Sequence, residues 1–83
     1  MSTPTSQFRT IEVLNLIHRG QALLKSKMVP DNDKAILSPA IDGVLSFTAF
    51  FLRQESPEYR PSQVDQIIDL REAITLLENA YAY

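Results

Sequence analysis

Between residues 13 and 28 the apolar side chains recur every three or four positions. On a wheel of about 100° per residue, Val13, Leu14, Leu16, Ile17, Gly20, Leu23, Leu24 and Met28 share one half, and Glu12, Asn15, His18, Arg19 and Lys25 share the other. A face that wide can meet more than one neighbouring helix. Upstream, Thr3-Pro4 offers a capping side chain followed by proline at a first helical position, where the missing N–H costs nothing. The pattern predicts a first helix over about 4–28.

Val29-Pro30-Asp31-Asn32-Asp33 then interrupts the period with turn-forming residues. Beyond it, Pro39 admits two readings. Either a short turn at 33–37 precedes a fresh helix over 38–54, with Ser38 as its cap, or one kinked helix runs through the proline. The first is the expectation adopted. From Ala40 to Leu52 the only charge is Asp42, and the polar stripe is limited to Asp42, Ser46 and Arg53. A helix apolar on most sides must be covered on most sides. Its run of about 13 apolar residues falls short of the roughly 20 that cross a bilayer, so a core helix and not a membrane span is expected. Gly20 and Gly43 both fall inside helices, where glycine costs about 1 kcal/mol relative to alanine. Close packing against a neighbour is the expected reason, above all at Gly43.

A loop bounded by Pro57 and Pro61 leads to a third helix over 62–81, with Ser62 as cap and Asp65 three residues on. Ile67, Leu70, Ile74, Leu77 and Tyr81 are spaced 3, 4, 3 and 4, the a/d seam of a heptad repeat. Such a seam faces either the chain's own core or a second copy. Phe47, Phe50 and Phe51, about a turn apart on the second helix, present the same choice between core and interface. The fold expected is therefore all-α: a three-helix antiparallel bundle completed by homodimerisation, because three short helices carry more apolar surface than they can cover. These eight residues are the candidate interface.

Composition sharpens this. Eighty-three residues make one small domain with a marginal core, and the absence of cysteine removes disulfides and thiolate metal sites as reinforcement. A second subunit is the remaining means of support. The net charge of −2 argues against general affinity for phosphates. It is unevenly placed: residues 1–30 hold four bases against Glu12, while residues 61–83 hold Arg71 against four acids, so a basic first helix is expected beside an acidic last one. No basic-then-apolar leader opens the sequence, and a cytoplasmic location is the expectation.

Candidate chemistry is sparse. His18 is the only histidine, sits among polar neighbours, and has no G-x-S-x-G serine to serve. Asp65, Asp69 and Glu72 line one face of the third helix, but no Glu-x-x-His pair accompanies them. Asp31-Asn32-Asp33 opens like a calcium loop, yet Ile36 and Asp42 occupy the positions that need glycine and glutamate. Two glycines cannot build a phosphate loop. No catalytic, metal or cofactor residue is assigned. The expected function is a non-enzymatic protein–protein interaction module, a small regulator, adaptor or inhibitor of a larger protein, with itself as a further partner. The alternative is a small DNA-binding regulator using Arg9, Arg19, Lys25 and Lys27 of the first helix.

Overall fold

The computed structural model describes residues 8–81. It comprises three α-helices, α1 (Thr10–Lys25), α2 (Asp31–Thr48) and α3 (Pro61–Tyr81), with a 3-10 turn at Ala49–Phe51 tightening the end of α2.

The start at α1 differs from the expected one. Arg9 is extended, at φ −85° and ψ 153°, and its N–H donates to Glu12 Oε1 at 2.7 Å. Thr10 then ties the helix to the segment that follows α2 and its 3-10 turn. Its N–H donates to the Glu55 carbonyl at 3.0 Å, and its hydroxyl donates to the Gln54 carbonyl at 2.5 Å. These bonds fix the first turn at Thr10, whereas the Thr3-Pro4 cap lies outside the described residues. At the other end Ser26 turns extended at ψ 134°, and its hydroxyl accepts the Met28 N–H at 3.1 Å. The turn buries Val29 and leaves Met28, expected on the apolar face, 61% exposed.

Helix α2 is continuous through Pro39, so the turn expected at 33–37 does not form. The reason is a second heptad seam. Leu37, Ile41, Val44 and Thr48, spaced 4, 3 and 4, are all at most 2% exposed. A break before Ser38 would throw Leu37 out of register with the rest. Pro39 costs one hydrogen bond to the Ala35 carbonyl, but it sits on the exposed side, where water can meet that oxygen. Asp31 and Asp33 in the first turn favour the positive end of the helix dipole. The residues expected as a helix to 54 instead pass through the 3-10 turn and leave the helix by Leu52. With the 3-10 turn, Asp31–Phe51 is 21 residues long, and its most apolar 18-residue stretch has a mean hydropathy of 1.3. By length and composition alone this helix meets the measure of a membrane-crossing segment, a measure that core helices also meet.

Helix α3 begins at Pro61, and the Arg60 N–H donates to the Gln63 side chain at 2.8 Å. Gln63 therefore closes this terminus in place of the expected pairing of Ser62 with Asp65, because proline at the first position moves the cap back to Arg60.

Contacts fix the topology. The start of α1 meets the end of α2 at Thr10 and Gln54, and Gly20 meets Ile41, so these helices run antiparallel. Gly43 shares a hollow with Gln66, and Asp33 shares one with Leu77, so α2 and α3 are antiparallel too. Helices α1 and α3 are then parallel, with Phe8 under Arg71 and Arg19 at Glu78. The core joins Val13, Leu16, Ile17 and Leu23 of α1 to the inner seams of α2 and α3. Gly20 is what lets α1 approach both: a Cβ there would lie 2.7 Å from Ile41 Cδ1 and 3.1 Å from Ile74 Cδ1. Arg19 grips Glu78 through Nε at 3.0 Å and Nη2 at 2.5 Å, so the basic α1 and acidic α3 do meet within one chain. Tyr59, from the loop before α3, plugs the end of the bundle. Its ring packs edge-on against Phe47 and Phe51 at 5.8 and 5.1 Å. Burial pushes its phenol above the ordinary value, and the Thr10 side chain partly offsets this.

Candidate functional site

The eight residues expected at an interface do not share a face. Ile67, Leu70 and Ile74 are at most 1% exposed and belong to the core of the single chain. Leu77 and Tyr81 are half-buried at the end of α3, and hydrogen bonding to Asp33, chiefly, and the charge of that carboxylate push the Tyr81 phenol upward. Phe47 and Phe51 are half-buried against Tyr59. Of the eight, Phe50 alone projects fully, at 85% exposure. The α3 heptad is spent internally.

The surplus apolar surface lies elsewhere, on the outer side of α2 and the adjoining edge of α3. Ile36 is 72% exposed and Leu76 69%. Their placement follows from α2 carrying two heptad seams side by side. The inner one is Leu37, Ile41, Val44 and Thr48. The outer one is Ile36, Ala40, Gly43, Phe47 and Phe50, spaced 4, 3, 4 and 3. The inner seam faces α1 and α3, whereas of the outer one only Phe47 gains an aromatic neighbour, Tyr59, and Ile36, Ala40 and Phe50 stay exposed. Across from it, α3 presents Ala73 and Leu76. Two hollows of about 350 and 170 Å³ lie between the helices and share Ile36, Ala40 and Ala73, so they form one continuous groove. Its floor is made of small residues. At Gly43 an added Cβ would find nothing within 4 Å, so the close packing expected there is absent and is found at Gly20 instead.

The groove's rim has one sign. Asp33 lies at one end and Asp69 along the α3 side, and no lysine or arginine lines either hollow. Asp65 and Glu72 continue the ridge, four residues before Asp69 and three after it, and both are exposed. Among the described residues the ion pairs are Arg9–Glu55 and Arg19–Glu78, and neither reaches this ridge.

Other surfaces offer less. A hollow of about 370 Å³ between α1 and α3 contains Arg19 and Arg71, but Arg19 is held by Glu78 and Arg71 stacks 5.4 Å over the Phe8 ring. The basic face of α1 is partly neutralised, since Arg9 and Arg19 each hold a carboxylate. His18 is exposed on α1. Among the described residues no three His, Cys, Asp or Glu side chains converge as metal ligands would. The outer seam of α2 escaped the sequence reading although Ile36, Gly43 and Phe50 recur every seven residues. Placing a helix start at Ser38 cut Ile36 from the row, and the small residues at its centre disguised it. No protein-family model, curated protein or solved structure matches this chain.

Proposed function

We propose that this protein is a non-enzymatic docking module, a small adaptor, regulator or inhibitor that receives a helical segment of a larger protein in the groove between α2 and α3. The observation that carries the reading is the outer seam, a second apolar row on α2 whose Ile36, Ala40 and Phe50 stay exposed while the inner row is enclosed. A glycine at its centre, with empty space beyond the α-carbon, is the arrangement that admits another backbone closely. Helix-in-groove recognition uses such a face, read by anchors at i, i+3, i+4 and i+7. The same physics supports α2 as a core helix of a bundle in spite of its length, because its inner seam interlocks with α1 and α3.

A second copy of the chain is the competing occupant, and homodimerisation through this groove would cover the same residues. DNA binding through α1 draws less support, given the two paired arginines.

The direct test is site-specific photocrosslinking in the native host. A crosslinker at position 40, on the groove floor, should capture one discrete segment of a partner, and Ile36→Asp should remove the adduct. The same group at His18, on the opposite side of the bundle, should not capture it. Equal capture from both positions, or none from position 40, refutes the docking reading.

A further inference from the structure

We propose that the occupant of this groove is an amphipathic helix about four turns long that carries lysine or arginine along one edge only, the edge lying over α3. This rests on the docking reading above and adds the chemistry of the partner.

Length comes from the seam. Ile36 to Phe50 spans about 21 Å at 1.5 Å per residue, or roughly four turns. Two helices side by side leave a furrow that a third helix fills at an interaxial distance of about 8–10 Å. Gly43 stands seven residues from both Ile36 and Phe50, so the incoming helix approaches most closely at its own midpoint.

Polarity comes from the rim. Asp65, Asp69 and Glu72 follow one another at helical spacings of four and three, an arrangement in which like charges repel. Neither ion pair among the described residues involves them, and Arg71, which shares a hollow with Glu72, stacks on Phe8. The α2 edge, by contrast, offers the uncharged Pro39 and Ser46. A helix with cations on a single edge satisfies both walls and fixes its own orientation. A second copy meets the rim less well: seated groove to groove, it sets the acidic ridge either against its own copy or against the uncharged Pro39 and Ser46 edge, and neither supplies a base.

The test uses two synthetic peptides of about 18 residues, sharing one leucine and alanine heptad seam and differing at one edge, lysine in one and glutamate in the other. Binding of each fluorescein-labelled peptide to the full chain is followed by anisotropy. The lysine peptide should bind at least about tenfold more tightly at low salt, with the gap narrowing as salt screens the rim. Asp69→Lys with Glu72→Lys should invert the preference. Gly43→Leu should weaken both peptides while leaving the helical circular dichroism unchanged. If both peptides bind equally and Gly43→Leu weakens both, the docking reading stands and the basic-edge proposal falls. If neither peptide binds, both fall. Sedimentation showing a dimer that Ile36→Asp dissolves, with no peptide bound, assigns the groove to a second copy and overturns the proposal.

Discussion

The two glycines invite one perturbation with opposite outcomes. Replacing glycine by alanine inside a helix contributes about 0.8–1 kcal/mol of stability through propensity alone. At Gly43 nothing opposes that gain, because the new methyl group enters open space. At Gly20 the methyl would come 2.7 Å from Ile41 Cδ1 and 3.1 Å from both Ile41 Cγ1 and Ile74 Cδ1. Ordinary carbon contacts are about 3.5–4.0 Å, so the deficit approaches 1 Å. Ile41 and Ile74 are β-branched and almost fully enclosed, at 2% and 0% exposure, which leaves their side chains little room to swing away. Overpacking of this kind costs about 1–3 kcal/mol. Gly20→Ala should therefore lose about 1 kcal/mol net and Gly43→Ala should gain about as much, a separation near 2 kcal/mol. Urea unfolding followed at 222 nm reads both directly, provided the denaturant slope stays constant. A coupling check pins the cause: Ile41→Val removes the Cδ1 that clashes, so it should cost less in the Gly20→Ala background than its usual 0.5–1.5 kcal/mol in the parent. If both alanine variants stabilise equally, α1 does not cross α2 and α3 at Gly20 and the packing described here is wrong.

Other substitutions probe separate elements. Pro39→Ala should raise stability by about 1–3 kcal/mol in urea unfolding, since it restores a bond within a continuous helix; no gain would mean that a helix starts at Pro39. Tyr59→Ala should cost about 3–5 kcal/mol by the same measurement, as the plug against Phe47 and Phe51 is lost. Glu78→Gln tests the clasp between α1 and α3 by pH. Hydrogen bonding from Arg19, chiefly, and its charge hold the Glu78 carboxyl below the ordinary 4.5. The clasp therefore contributes fully above pH 4.5 and is lost as the pH falls through the lower folded-state value. The stability gap between parent and Glu78→Gln should be under about 1 kcal/mol at pH 7, as for other exposed pairs, and should close towards pH 3. A gap that persists in acid would refute the assignment.

The a/d row of α3 was legible because large branched residues repeat at 3 and 4 without interruption, and Ile67, Leu70 and Ile74 are indeed buried. What the pattern alone could not decide was which side would cover them. A chain this small spends its strongest seam on itself, since Ile and Leu contribute most when enclosed. Helix α2 was expected to be covered on most sides, but it is enclosed along its inner row alone, and the broken register at Pro39 concealed that its apolar surface forms two ordered rows. The loop residue Tyr59 gave no periodic signal at all, because a plug is placed by the ends of helices and not by any repeat of its own.

Burial energies bound how tightly the proposed groove could hold a partner. Covering Ile36, Leu76 and Phe50, which are 69–85% exposed, contributes on the order of 5 kcal/mol in all at about 1.5–3 kcal/mol per fully buried side chain. Bringing two bodies together costs at least about 4 kcal/mol. Apolar burial alone thus nearly cancels against association, and a helix that supplied only leucines would bind weakly. On the docking proposal, the remaining affinity comes from close packing over Gly43 and from bases set against Asp65, Asp69 and Glu72. A partner lacking either one should fail to hold, which is why the glycine and the acidic ridge, and not the large exposed side chains, are expected to separate true ligands from any sticky helix.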